Sequence, residues 1–454
     1  MSEAPLGIVL AAGLGTRMRS RTPKVLHTAA GRPLLSHVLA ALAQVDARPL
    51  VVLSPESSTA RSLLPDRVQV AIQDPPRGTG DAVRVALDAV KDARGTALIV
   101  YGDTPLVRPE TLRALLTLRE SRTAVLALLS GEVGADNAYG RIVRDSQGDV
   151  TRIVEARLAS DAERALAESN LGVYAADLAW LRGAVARLRP NATGEIFLTD
   201  LVALAVADGK RVVAHKAADG DDGRGVNTRV ELAAIEVLLY RRIREGHMLA
   251  GVTFHDPDSS LVDADVELAP DVVVERGSVL EGKTKVGTGS RIGPYAILRD
   301  TTVGANCRVE ASVLEGATLE DEVSIGPYAH LRPGAYLEKG VELGNFGEVK
   351  NARLGAGTKV HHFSYIGDAS VGKRVNIGAG TITLNFDGTR KYRTEIGDDA
   401  FIGSDTLLRA PVKVGRNAAT GAGAVVTRDV PDDHIGIGMP ARMRKRPKPA
   451  APGA

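Results

Sequence analysis

From about residue 250 onward helical periodicity is absent, and aliphatic side chains return every six positions. Ile325, Leu331, Leu337, Leu343 and Val349 share one register, and Leu354, Val360, Ile366, then Val371, Ile377, then Ile396, Ile402, Leu408 keep the same step. Glycine follows six of these last eight positions. Such a repeat predicts a parallel β-helix, in which each short strand forms one side of a coil and neighbouring coils stack. Aromatic residues make up only 4% of the chain beside 48 glycines. That balance suits a narrow interior filled by aliphatic side chains, with small residues at sharp corners. Ile377 and Ile396 are nineteen positions apart, so Thr383 to Glu395 is expected to leave the coil as a loop. Loops on a rigid solenoid are where sites are built.

The 454 residues exceed what one core organises, so two domains are expected. Short aliphatic runs at Gly7 to Leu10, Leu50 to Leu53, Val68 to Ile72, Ala97 to Tyr101 and Ala124 to Leu128 read as strands. They alternate with helical periodicity over Pro33 to Val45, Gly80 to Val90 and Glu110 to Arg119. The pattern predicts an α/β, Rossmann-like domain with a mainly parallel sheet, helices on both faces and ligands at the strands' C-terminal ends. Thr228 and Glu231 have capping-box spacing ahead of an apolar stripe at Leu232, Ile235, Leu239 and Ile243, which marks a connecting helix. The expected divisions are residues 1–228, a linker helix over 229–249, the repeats over 250–441, and a basic, proline-containing disordered tail over 442–454.

A net charge of +2 gives no electrostatic footprint for nucleic acid, so small molecules are the expected partners. Cys307 is the only cysteine, which excludes an intrachain disulfide and a cysteine metal cluster; it reads as a small buried filler. The first residues do not show a basic region followed by an apolar stretch, and no segment approaches about 18 uninterrupted apolar residues, so neither a secretory leader nor a membrane span is expected. A cytoplasmic protein without membrane attachment is expected.

Leu10-Ala11-Ala12-Gly13-Leu14-Gly15-Thr16-Arg17-Met18 follows the first strand directly, and Lys24 comes shortly after. The glycines let backbone N–H groups approach phosphate oxygens, and Arg17 and Lys24 supply charge to stabilise a pentavalent phosphorus. The turn is not a Walker A loop, since no Gly-Lys-Ser/Thr follows. Nor is it a dinucleotide fingerprint, since Met18 stands at the third glycine position.

These residues resemble the signature of the sugar-1-phosphate nucleotidyltransferases, present here as Gly15 to Met18 and Pro23-Lys24. The resemblance continues through Gln73 and Gly78-Thr79-Gly80, which in that family read the nucleobase. It reaches Tyr101-Gly102-Asp103 and Gly225-Val226-Asn227, which imply a Mg²⁺ held by Asp103 and Asn227. Read as residues alone, Asp103 could instead cap the turn before Pro105, and Asn227 could serve the helix starting at Thr228. Gly140, Glu155 and Asn170 match the family's sugar pocket. Where a second glutamine often stands after the first, this chain has Pro75-Pro76-Arg77.

In the repeats, His361-His362 offers a base near neutrality, as acetyl transfer to an amine requires. On an extended strand adjacent side chains face opposite ways, so at most one of the two reaches a given cleft. Arg332, Lys350, Tyr365, Asn376, Asn385, Lys391 and Ser404 surround it with polarity that a structural coil does not need, and suggest an anionic sugar phosphate. Taken without a family, the repeats could equally be an assembly module on a single-activity nucleotidyltransferase.

The ordered string from Leu331-Arg332-Pro333-Gly334 to Gly403-Ser404-Asp405-Thr406 resembles the bifunctional N-acetylglucosamine-1-phosphate uridyltransferase and glucosamine-1-phosphate N-acetyltransferase family. That resemblance spans nearly the whole chain. It implies a C-terminal left-handed parallel β-helix of hexapeptide repeats, a homotrimer, and four small-molecule substrates: glucosamine 1-phosphate, acetyl-CoA, UTP and N-acetylglucosamine 1-phosphate. By position it implies His362 as general base, with Arg332, Lys350, Tyr365 and Asn376 holding glucosamine 1-phosphate. Asn385 would orient the amine or thioester, and Ala379, Asn385, Phe386, Ser404, Ala422 and Met439 would meet acetyl-CoA. In the first domain it implies Arg17 and Lys24 as catalytic. Leu10, Ala11, Ala12, Gly13, Lys24, Gln73, Gly78, Thr79, Tyr101, Gly102, Asp103, Gly140, Glu155, Asn170 and Asn227 would line the nucleotide and sugar site. Phe386 stands where a tyrosine is frequent, and Met439 where an arginine sometimes meets CoA.

Overall fold

A computed structural model describes residues 3–133, 139–192, 194–217 and 220–445. The chain divides into two compact units, Met1–Leu239 and Tyr240–Ala454.

The first unit is built on one twisted sheet. Across it run Val212–Lys216, Leu126–Glu132, Glu168–Asp177, Thr96–Tyr101, Leu6–Leu10, Arg48–Leu53 and Gln69–Ile72. Neighbouring side chains on one strand serve opposite faces. Ile8 and Leu10 pack with Ala82, Val83 and Leu87 of the helix Thr79–Ala89. Val9 packs instead with Leu35 and Val38 of Leu34–Ala43 and Leu112 of Pro109–Ser121. All five expected strands and three expected helices are present. One departure concerns Glu168–Asp177, which runs antiparallel to both its neighbours. It follows a hairpin, Arg141–Arg144 with Val150–Val154, and without a crossover helix the chain re-enters the sheet in the opposite direction.

The helix Arg229–Leu249 opens with the expected capping box. Glu231 N–H donates to Thr228 Oγ1 at 3.2 Å, and Thr228 N–H donates to Glu231 Oε2 at 2.8 Å. It is more than a linker. The boundary between units falls inside it, and each half is tied to its own unit. Glu236 accepts from Ala30 N–H at 3.0 Å, whereas Arg244 donates to Ser260 O at 3.0 Å. Among the described residues no helix is long and apolar enough to cross a membrane.

The second unit is a parallel β-helix with three sheets of twelve, ten and nine strands among the described residues. A full coil takes 18 residues where Ser324 pairs with Glu342, and 17 where Arg291 pairs with Arg308. Every aliphatic residue of the six-residue register is buried, in one continuous core that also holds Cys307. The expected loop is shorter than its sequence suggested. Thr383 stays in the coil at an inward position beside Leu408, and its hydroxyl accepts from Gly367 N–H at 2.8 Å and donates to Gly367 O at 3.0 Å. A satisfied hydroxyl can replace an aliphatic side chain in a core, so the loop spans 385–393. A second correction concerns the expected tail. Arg442–Lys445 forms a strand, antiparallel to His434–Ile437, because the last parallel strand would otherwise leave its edge unpaired. Residues 446–454 lie outside the described residues.

Candidate active sites

The glycine-rich turn sits at the C-terminal end of Leu6–Leu10, and the neighbouring strand Thr96–Tyr101 delivers Asp103 to the same edge. There Lys24 forms an ion pair with Asp103 and reaches Asn227 Oδ1 at 3.3 Å, while Arg17 donates to that same oxygen at 2.9 Å. Asn227 turns its side chain toward the cations while Thr228 caps the helix. The turn at Asp103 is closed by the Thr104 hydroxyl donating to Tyr101 O at 2.8 Å, which leaves the Asp103 carboxylate to Lys24.

Two oxygen donors, from Asp103 and Asn227, therefore converge on one cation, here the Lys24 ammonium. No group of three or more His, Cys, Asp or Glu among the described residues could cage a metal. A pair of hard oxygen donors at a phosphate site suits Mg²⁺, which keeps several waters and substrate oxygens in its shell.

Two clefts meet at this cluster. The larger, about 740 Å³, is lined by Arg17, Tyr101, Asp103, Gly140, Glu155, Asn170 and Asn227. The smaller, about 310 Å³, is lined by Leu10 to Gly13, Lys24, Gln73, Gly78 and Thr79, and shares Tyr101, Asp103 and Asn227 with the first. Together they gather every expected residue of this site except Gly102. That glycine lines neither cleft, and a β-carbon there would come 3.1 Å from Ala11 Cβ, so the two strand ends approach closely at this point. Glu155 is fixed by Thr199 Oγ1 donating at 2.8 Å, and Asn170 by donating to Tyr174 Oη at 2.7 Å. Burial, reinforced by the Glu155 charge, pushes the Tyr101 phenol up. Thr199 lines the larger cleft but carried no motif and was missed, being brought in by tertiary folding from outside the signature segments, whereas Tyr139 enters that cleft beside the expected Gly140.

On the β-helix, one cluster connects five of the expected residues. Arg332 donates to Glu348 Oε1 at 3.0 Å, and Arg332 and Lys391 together press the Lys350 ammonium below its ordinary pKa. Tyr365 pairs in register with Glu348. Asn385 Nδ2 donates to Asp368 Oδ2 at 2.5 Å and to Tyr365 Oη at 3.4 Å, while Asn351 holds the other Asp368 oxygen at 2.6 Å. Glu348 and Asp368 were not anticipated. Glu348 could have been found, since it shares a strand face with Lys350 two residues on. His361 and His362 lie in the turn before Ser364–Gly367 rather than on a strand. They separate nonetheless: His361 pairs with Glu342 at 2.7 Å, and His362 is exposed without a hydrogen bond among the described residues.

Leu343, Val360, Ile377, Ile402 and Thr420 occupy equivalent positions in successive coils, as the strand registers require. Two residues beyond the last four stand His362, Ala379, Ser404 and Ala422, which form one corner column. Asn376 lies on the strand Asn376–Ile377, on a different sheet from Tyr365, and among the described residues no hydrogen bond joins it to the Lys350 cluster. Phe386 and Met439 are exposed, away from the column in chain order.

Fold and sites together define a two-domain transferase. Residues 7–172 match the MobA-like NTP transferase domain family, and residues 393–428 match the bacterial transferase hexapeptide family of six repeats. Along the full length the chain is similar to Bifunctional protein GlmU of Alkalilimnicola ehrlichii, 47% identical over 446 residues, 97% of this chain and 96% of that protein. Proteins of the same name from Bordetella parapertussis (46% identical, 95% of each chain) and Streptococcus equi subsp. zooepidemicus (42%, 96% of each) are also similar. The chain belongs to the bifunctional GlmU family. It is an enzyme of UDP-N-acetylglucosamine synthesis with both expected activities, acetylation of glucosamine 1-phosphate and uridylyl transfer to the product.

Proposed function

We propose that the cleft around Asp103 performs the uridylyl transfer and the corner column beginning at His362 performs the acetyl transfer. The observation that carries the first assignment is the convergence of Arg17, Lys24, Asp103 and Asn227 where the two clefts meet. UTP occupies the smaller cleft and N-acetylglucosamine 1-phosphate the larger, so the sugar phosphate faces the α-phosphorus. A phosphate oxygen attacks, one P–O bond forms, the bond to the β-phosphate oxygen breaks, and pyrophosphate leaves. Arg17 and Lys24 neutralise charge that grows in that transition state. Asp103 and Asn227 would hold Mg²⁺, which supplies further neutralisation of the triphosphate when bound.

In the second domain, Arg332, Lys350 and Lys391 bind the phosphate of glucosamine 1-phosphate, whose charge relieves their mutual repulsion. Asn376 adds to this site. Asn385 has committed its amide N–H groups to Asp368 and Tyr365, which leaves its carbonyl oxygen to accept from the amine. His362 takes the proton as nitrogen attacks the thioester carbon; the C–S bond breaks and the proton passes to the departing thiolate. Acetyl-CoA lies along Ala379, Ser404 and Ala422, with Phe386 and Met439 at its far contacts, against a neighbouring chain of a homotrimer. All substrates are cytoplasmic metabolites, which suits a cytoplasmic enzyme.

Purified protein given glucosamine 1-phosphate, acetyl-CoA and UTP will release CoA and then pyrophosphate. No CoA release would overturn the acetyl-transfer half. Adding EDTA is expected to stop pyrophosphate release and spare CoA release; equal loss of both would overturn the placement of Mg²⁺. Gly15 is held at φ 61°, and a β-carbon there would stand 2.7 Å from Lys24 Cβ. Gly15→Ala will displace Lys24 and lower uridylyl transfer by about 10²-fold, measured against unchanged acetyl transfer.

A further inference from the structure

Gln73 is 2% exposed, and it lines the smaller cleft. Its Nε2 donates to Gly78 O at 3.0 Å and to Asp81 Oδ2 at 2.8 Å. A primary amide has two N–H donors and one carbonyl acceptor. Two acceptors around a single terminal atom fix that atom as nitrogen, because the carbonyl oxygen there would face a carbonyl and a carboxylate. Both donors are therefore spent inside the protein. The Gln73 carbonyl oxygen has no partner among the described residues.

Asp81 is suited to this task. It is 1% exposed in the first turn of Thr79–Ala89, pairs with Arg84, and lies 3.8 Å from Arg77. Burial opposes its ionisation, but hydrogen bonds from Arg84 and Gln73 outweigh that and hold its carboxyl below the ordinary range. A carboxylate cannot donate, so it offers Gln73 one orientation only.

We propose that Asp81 is a specificity-determining residue for the base, locking Gln73 so that only a carbonyl oxygen faces the bound pyrimidine. That oxygen accepts from N3–H of uracil, and it meets a lone pair on N3 of cytosine. The inference rests on the reading that this cleft takes the nucleotide. Asp81 touches no substrate; it acts through Gln73.

The test compares kcat/KM for UTP and for CTP in the full chain, with acetyl transfer as the internal measure of folded protein. Asp81→Leu leaves Gly78 O as the one acceptor holding the amide, so the flipped orientation becomes accessible and the UTP/CTP ratio is expected to fall by about tenfold. Asp81→Asn can turn either a donor or an acceptor toward Gln73, so it is expected to lower the ratio as well, though by less than the leucine variant. Should the leucine variant fold poorly, Asp81→Ser, too short to reach Gln73, gives the same loss. A leucine or serine variant with the parental ratio, or with equal loss on both nucleotides, would show Asp81 to be structural only and overturn the proposal. A parent that releases no pyrophosphate from UTP would overturn the reading of the cleft, and this proposal with it.

Discussion

His362→Ala will lower acetyl transfer by about 10²–10⁴-fold, the usual worth of a positioned general base, and leave uridylyl transfer unchanged. The substitution removes an exposed side chain that carries no hydrogen bond among the described residues, so the fold has nothing to lose. The neighbouring His361 cannot substitute, because it is engaged by Glu342. His361→Ala serves as the control and should retain acetyl transfer within about threefold, since only the column histidine is placed to act as base. CoA release measured on both variants decides the matter. Loss in His361→Ala alone, or loss of pyrophosphate release in His362→Ala, would sink the assignment.

Asp103→Ala is expected to do the reverse, reducing uridylyl transfer by about 10³-fold or more while CoA release stays at the parental level. The carboxylate pairs with Lys24, so its removal also leaves a part-buried ammonium without its counter-charge. Asp103→Asn separates the two effects: it keeps the shape and a carbonyl donor but withdraws the negative charge. If charge at the phosphate end matters, asparagine will be nearly as impaired as alanine. An asparagine variant with parental activity would show that the carboxylate serves only to hold the turn.

The architecture was legible because both halves carry short-period signals. A six-residue step fixes which side chains enter a β-helix, and the strand and helix runs of the first unit could be read one by one. What escaped depends on distance along the chain. Glu168–Asp177 reverses direction after a hairpin, and nothing local to those ten residues states with which strands they pair. Thr383 was assigned to the loop because it falls in the nineteen-residue gap between Ile377 and Ile396, although a threonine whose hydroxyl finds Gly367 fits the core. Site residues within motifs came together as expected at Asp103. Their orienting partners did not announce themselves: Asp81 lies eight residues from Gln73, and Asp368 seventeen from Asn385. A hydrogen bond across such a span is visible only once the coil or turn is closed.

The antiparallel strand Arg442–Lys445 has a meaning for assembly. A stack of parallel coils is in principle endless, since each terminal face is a template for another copy. Here the final strand runs the wrong way for such growth, and it exposes Arg442, Arg444 and Lys445 along the rim. On that sheet the edge left for another copy is antiparallel and cationic, which works against end-to-end stacking of solenoids.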